Sequence, residues 1–354
     1  MTAALKPARQ MPAPLLVDTA AAGAFIAAVQ RPSGEIPWSI GGKTDPWDHV
    51  ESAMGLDVAG NGDAAERAYA WSANRQLADG SWWSEYREGL PAADGYKDPN
   101  MTAYIAVGVF HHFLIRQDRA FLDRMWDCVR RAVDFVVGLQ RPEGDIPWAL
   151  RADGSIAARA LLTGCSSMYL SLRCAEKIAF LLGKQATQWR ASRRRLGKAI
   201  RCKPHLFDAS KARFSMDWYY PVLCGAVTGA AAAERIASRW ERFVVPGWGV
   251  RCVSDRPWAT MAETAELALA LAAAGRPSEA EIVLSWTADK KYPDGAFWTG
   301  VTFPDGQIYT TEKTAWTGAA ILLTTDSLYG LTPASRLFSH TESTGFGPLR
   351  CANP

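Results

Sequence analysis

The stretch FIAAVQRPSGEIPW at residues 25–38 returns almost unchanged as FVVGLQRPEGDIPW at 135–148. The same layout recurs as WSANRQLADGSWW at 71–83 and, with lysine replacing the glutamine, as LSWTADKKYPDGAFW at 284–298. WERFVVPGWGV at 240–250 is a reduced copy. Each copy reads as a helix end, a glycine in a turn conformation, and an aromatic ring that folds back onto the helix. The glutamine amide is placed to bond the carbonyls freed at that end. A unit that recurs along the chain signals an architecture of stacked repeats.

Between the copies lie Ala-rich, nearly all-apolar segments with helical spacing: Asp48–Ala59, Met101–Ile115, Cys165–Leu182, Pro221–Ala233, Met261–Ala274 and Thr314–Thr325. They alternate with more charged helices at 18–30, 63–76, 119–140, 186–202, 234–244 and 278–289. A helix that is apolar all round must be buried all round. Six buried and six half-exposed helices in alternation predict an all-α fold of two concentric rings, an (α/α)6 toroid of about twelve helices. Strand content is expected only as short pairs in loops. The toroid is expected as a single domain over 18–335, between a loose N-terminal tail, 1–17, and a C-terminal tail, 336–354.

The chain has 354 residues, 48% hydrophobic and 21% charged, with a net charge of +3. This weak excess is no nucleic-acid footprint, and the basic run from Arg193 to Lys203 reads as a solvated helix face. No apolar run approaches the length of a membrane span, so stable membrane insertion is not expected. Seven scattered cysteines without C-x-x-C spacing read as reduced thiols of a cytoplasmic protein. The 15 tryptophans are the compositional outlier, and many fall at turns, where they suit the wall of a cavity. Nothing indicates a cofactor, and the composition leaves the oligomeric state open.

The repeated turns resemble the QW motifs of the squalene–hopene cyclase and protein prenyltransferase superfamily, whose members use such a toroid. The resemblance extends to Gln76–Phe110. In class II terpene cyclases a QW turn leads to an Asp-x-Asp-Asp-Thr-Ala helix start whose middle Asp is the acid. Here the loop leads to Asp98-Pro99-Asn100-Met101-Thr102-Ala103. Asp98, Thr102 and Ala103 match, but Asn100 stands at the proton-donor position and Met101 replaces the last Asp. An amide is no acid, so this is a divergent member at most. The Asp-Asp-x-x-Asp metal motif is missing, and the five histidines have no cysteine at zinc-site spacing. No metal is expected.

The apolar helices should present their N-terminal ends at one mouth, where polar residues collect. The catalytic candidates there are Asp48, His49 and Glu51, then Asp98 and Asn100, then Glu312. Asp48 and Glu51, at i and i+3, share a helix face, as do Glu263 and Glu266. His49 is placed to move protons near neutral pH. Substrate contacts are expected from Trp47, Asp217, Tyr219, Tyr220, Glu263 and Trp316. Each Asp, Ser or Thr at a helix start also suits plain capping. The leading expectation is an enzyme acting on an isoprenoid or similar apolar substrate by acid/base chemistry. The alternatives are a carbohydrate-active (α/α)6 enzyme, for which paired carboxylates and tryptophan walls are equally apt, and a non-catalytic toroid that binds a lipid or partner.

Overall fold

The computed structural model describes residues 15–92 and 95–341. Fourteen helices and six short strands are present among them. In chain order, α1 (Thr19–Val29) is followed by α2 (Pro46–Val58), α3 (Gly62–Arg75), α4 (Pro99–Ala103), α5 (Ile105–Arg116), α6 (Arg119–Gly138), α7 (Leu162–Leu181) and α8 (Thr187–Cys202). Then come α9 (Met216–Leu223), α10 (Gly229–Ser238), α11 (Trp240–Phe243), α12 (Met261–Ala273), α13 (Pro277–Ser285) and α14 (Ala315–Tyr329). The inner ring is α2, the continuous pair α4–α5, α7, α9, α12 and α14; each packs on the next, and α14 packs back on α2. The outer ring is α1, α3, α6, α8, α10 and α13. The predicted (α/α)6 toroid is the fold observed. Its core follows the sequence logic, since every residue of α2 and nearly every residue of α12 is buried.

The repeated turns lie between outer and inner helices and lash the outer ring together. Gln30 Nε2 donates to the carbonyls of Gly34 (3.1 Å) in its own turn and of Ala64 (2.9 Å) in α3. Gln76 does the same to Gly80 and to Cys128 in α6, both at 2.9 Å. Gln140 bonds Gly144 and, at 3.0 Å, Ser192 in α8. The fourth turn closes the circle. Gly295, at φ +88°, sits so tightly on α1 that a Cβ there would lie 2.2 Å from the Ala21 carbonyl oxygen. Gly295→Ala is therefore expected to cost about 3 kcal/mol from left-handed strain plus the collision, read as a fall of several degrees in Tm. Gly183→Ala, at φ +68° with nothing within 4 Å, controls for strain alone and should cost much less. Equal losses in the two would refute the ring-closure role.

One helix pair departs from the expected boundaries. The inner helix expected at Pro221–Ala233 is α9, Met216–Leu223, and the alanines at 230–233 open the outer helix α10. Pro221 lies inside α9, not at its start. Lacking an N–H, it leaves the Asp217 carbonyl without its helical donor. Arg235 Nη2 of α10 supplies one at 2.8 Å, and Arg235 Nε bonds the Trp218 carbonyl at 2.7 Å. Positive φ at Gly225 and Gly229 then separates the two helices.

Strands occur only in the loops. β1 (Tyr86–Arg87) pairs with β2 (Leu90–Pro91), while β3 (Val244–Val245), β4 (Gly249–Arg251), β5 (Trp258–Thr260) and β6 (Gly300–Thr302) form one antiparallel sheet in that order. At the chain ends the expected tails are only partly outside the description. Val17, Leu337 and Phe338 are buried against the core, so the segment to 341 packs on the barrel, and 1–14 and 342–354 lie outside the described residues. Cys128, Cys165, Cys174, Cys224 and Cys252 are free. Cys202 is disulfide-bonded, which corrects the expectation of uniformly reduced thiols. No described helix is long and apolar enough to cross a membrane.

Connections from outer to inner helices are long: 30–45, 76–98, 139–161, 203–215, 239–260 and 286–314. Those from inner to outer are short: 59–61, 117–118, 182–186, 224–228 and 274–276. All six inner helices thus begin at one face, and the long loops surround it. That face is the mouth.

Candidate active site

The α2 N-terminus places three carboxyls on one face, at 45, 48 and 51, descending from the rim into the barrel. Asp45 is the cap, accepting from the backbone N–H groups of Trp47 (3.0 Å) and Asp48 (2.9 Å) on one oxygen. Asp48 caps nothing. Burial, then the neighbouring Asp45 and Glu51, push its carboxyl well above the ordinary carboxylate range, against the weaker pull of Lys43. Asp45 is itself pushed up by burial. Burial and crowding by two other acids favour the protonated form of this carboxyl.

α12, on the far side of α14 from α2, adds Glu263 and, one turn deeper, Glu266. Both are buried, 5% and 2% exposed. Glu266 accepts the hydroxyls of Tyr219 and Tyr220, each at 2.5 Å. Glu51 accepts the Tyr104 hydroxyl at 2.8 Å. Burial drives Glu51 up to about 8, opposed by that hydrogen bond and by the approach of the Trp316 indole N–H. Glu266 is raised by burial and then by the charge of Glu51. Two like-charged groups in one dry site share a proton. The Cys252 thiol, just after β4, sits against Glu263 and is pushed up by burial and by that carboxyl.

Aromatic rings wall the space. Trp47 stacks on Tyr104 with centroids 4.6 Å apart and meets Trp316 edge-on at 6.2 Å and Tyr220 at 6.5 Å. Beneath them a cavity with room for about one water is lined by Glu51, Tyr104, Ser167, Tyr220 and Glu266 above and by leucines and Phe338 below. The floor is closed and apolar.

Of the residues anticipated, Trp47, Asp48, Glu51, Tyr219, Tyr220, Glu263 and Trp316 gather in this space. Asp98 caps α4 through Asn100 N (2.7 Å) and Met101 N (3.3 Å), and burial followed by the charge of Asp45 lifts it to about 7. Asn100 leaves its side-chain oxygen buried without a partner. Asp217 has one oxygen in the same state; burial raises it, and Arg235 and Arg239 oppose. Two candidates stand apart. His49 is committed on both nitrogens: Nδ1 accepts the Ile36 N–H at 3.0 Å and Nε2 bonds the Ala68 carbonyl at 3.0 Å. Burial lowers it to about 4. It fastens the first repeated turn to α2 and has no free nitrogen for shuttling protons. Glu312 is exposed at the rim, where Ser39 Oγ donates to it at 2.7 Å. Tyr104, Asp45 and Cys252 were not singled out as site residues. For Tyr104 the signal was present, six residues past Asp98 on the same inner segment. Among the described residues no group of three or more His, Cys, Asp or Glu is disposed to hold a metal ion.

A carboxyl pushed toward its acid form on one helix of an aromatic-walled mouth, with a second carboxyl on the next inner helix but one, is a layout that suits glycoside hydrolysis. Comparison with known proteins agrees. The chain is 48% identical over 313 residues, 88% of its own length and 86% of the relative's, to the MMP endo-(1,4)-3-O-methyl-α-D-mannosidase of Mycolicibacterium hassiacum. The chain belongs to this family of glycosidases. No family model matches it. Among solved structures, a glycosidase variant in complex with glucose superposes with a TM-score of 0.70 at 17% identity, covering 90% of this chain and 97% of that one. The GH63 mannosylglycerate hydrolase from Thermus thermophilus superposes at 0.68 with 12% identity, covering 86% and 98%. At such identities these neighbours show the toroid alone. The endo-mannosidase relative overturns the terpene cyclase and prenyltransferase expectation, and the carbohydrate alternative replaces it. The Gln–Gly–Trp turns are ring staples in this glycosidase family member. They carry no kinship to isoprenoid enzymes, and Asn100 needs no explanation as a lost acid.

Proposed function

We propose that this glycosidase is an endo-acting α-mannosidase that cleaves (1→4) linkages within 3-O-methylated mannose chains. The identity to the Mycolicibacterium hassiacum enzyme across nearly the whole of both chains carries this reading. Asp48 protonates the departing glycosidic oxygen, because burial and two neighbouring carboxyls favour its acid form and it has no capping duty. Glu263 serves as the second carboxyl. It stands in the first turn of α12, at the same mouth as Asp48, with the Cys252 thiol to orient it. Trp47 and Trp316 offer ring faces to the sugar. Asp98, Asn100 and Asp217, at the starts of α4 and α9, line the approach as hydrogen-bonding groups. The substrate is a sugar chain of small-molecule size, and no nucleic acid enters this reading.

Incubation with 3-O-methylated α-(1→4)-mannooligosaccharides, with the unmethylated oligomers and with mannosylglycerate, followed by mass analysis, tests the reading. Internal cleavage of the methylated oligomers, faster than of the unmethylated ones, is expected. Hydrolysis of mannosylglycerate with the methylated oligomers left intact would reject it.

A further inference from the structure

Below the reacting level lies a second pair of acids that the proposed chemistry does not use. Glu51 is one turn beneath Asp48 on α2, and Glu266 is one turn beneath Glu263 on α12. The two α2 residues and the two α12 residues therefore form two ladders on the helices that flank α14, each with an upper rung at the mouth and a lower rung beneath it, where the charge of Glu51 acts on Glu266. The lower rung is 3% and 2% exposed. Three tyrosines hold it: Tyr104 on Glu51, and Tyr219 with Tyr220 on Glu266. Both oxygens of Glu266 are taken by hydroxyl donors, which suits an ionised acceptor. Glu51 receives a single hydroxyl and keeps an oxygen on which the shared proton can sit. The cavity they line has room for only about one water, so no sugar ring reaches past them.

We propose that Glu51 and Glu266 form a buried tuning pair whose negative charge, applied from one turn below, keeps the proton on Asp48 between turnovers. The inference rests on the reading of Asp48 as proton donor. Every charged or titratable group that faces this column is accounted for. Asp45 lies above on α2, and Lys43 on the preceding loop opposes. Asp98 caps α4 beside Asp45. Tyr104 comes from the α4–α5 junction, Tyr219 and Tyr220 from α9, and Cys224 follows α9. Glu263 is on α12 with Cys252 beside it. α7 and α14 offer the uncharged Ser167 and Trp316. Among the described residues, the cation that acts on Asp48 is Lys43, at the rim, and Arg173 acts on Cys224. A carboxyl pair with no cation against it is costly to keep in a core where apolar residues would pack. A role in setting the charge of its neighbour explains why it is there.

The direction follows from the charges. As pH rises, Glu51 loses its proton, the pair gains a second negative charge, and ionisation of Asp48 is opposed further. Glu51→Gln removes that second charge, so Asp48 ionises earlier and the basic limb of the kcat/KM profile moves to lower pH by about one unit. At a pH one unit above the wild-type midpoint this is roughly a tenfold loss. Glu266→Gln acts the other way. Relieved of its like-charged partner, Glu51 ionises at lower pH directly beneath Asp48, and the limb stays in place or moves to higher pH. Tyr104→Phe removes the hydroxyl that favours the Glu51 carboxylate, leaves the packing, and should move the limb to lower pH by less than Glu51→Gln does. The experiment is the pH profile of all three full-length variants on methylated mannooligosaccharide, with melting curves alongside. Movement of the limb to lower pH by Glu51→Gln, with Glu266→Gln leaving it in place or moving it to higher pH, supports the tuning pair. An unmoved limb with kcat lowered at every pH, or displacement in the same direction by both, overturns it; if either Gln variant fails to fold, an unmoved limb in Tyr104→Phe does so. Failure of the donor reading is separately visible, because Asp48→Asn would then keep the basic limb.

Discussion

Asp48→Asn will lower kcat on methylated mannooligosaccharides by about 10³-fold, within the range that a positioned general acid supplies, with KM little changed. The amide has the carboxyl's shape and cannot give up a proton. The loss should shrink to a few-fold on an aryl mannoside whose phenol leaves without protonation, which separates lost acid catalysis from lost binding. The basic limb of the pH profile should vanish with the acid. Stability should move the opposite way. The folded-state pKa of Asp48 lies above its unfolded value of 3.8, so the native state keeps a proton that the unfolded chain releases. Wild-type stability therefore falls as pH rises above about 4 through the folded pKa. An amide in its place carries no such penalty, and the variant should melt higher than wild type at pH 8 and match it near pH 4. Unimpaired turnover of the unactivated substrate would remove Asp48 from the mechanism.

Glu263→Gln should be at least as damaging, with kcat down about 10³-fold or more on unactivated and activated substrates alike, because no leaving group substitutes for the group that directs the attack. Azide or formate, small enough to occupy the place of the missing oxygen, should restore turnover. The anomer of the resulting mannosyl azide then reports the stereochemistry. An inverted product places Glu263 on the attacking face, as base or nucleophile alike, and a retained one means that a covalent intermediate still forms elsewhere. Activity above a tenth of wild type, or no response to either anion, would move the second role to another mouth carboxyl. The contact with the Cys252 thiol makes Cys252→Ala the companion variant, with a smaller loss.

The ring architecture was legible because it rests on local, repeated chemistry. The Gln–Gly–Trp turns at 25–38, 71–83 and 135–148 have the same glutamine bonds in all three places, and helices as largely apolar as α12 and α14 have no option but the inside. Where local signals conflicted, boundaries slipped. The alanines at 230–233 are apolar enough to read as core, yet three of these four are exposed, since a methyl group gains little from burial. Pro221 read as a helix start because its missing N–H is normally tolerated only there. The donor that makes it tolerable inside α9, Arg235, comes from the next helix.

The site divides along the same line. That Asp48 shares a face with Glu51, and Glu263 with Glu266, is periodicity and needs only the chain. That the two faces line one mouth from either side of α14 needs the whole ring, because α2 and α12 stand more than two hundred residues apart in sequence. The same distance effect misled on His49 and Glu312. A histidine beside an aspartate suggests proton traffic until Ile36 and Ala68 are seen to occupy both its nitrogens. The likeness of Asp98–Ala103 to a cyclase acid motif was real as a pattern of letters, but it marks an aspartate cap with proline in the first turn, which many helix starts share. By itself, then, the sequence determined the secondary elements, their alternation and the closing of the ring, since backbone hydrogen bonding and burial periodicity act within a few residues. Which carboxyls meet, which stay protonated and which merely cap was decided only by the tertiary structure, because desolvation and charge coupling depend on neighbours that the chain brings together last.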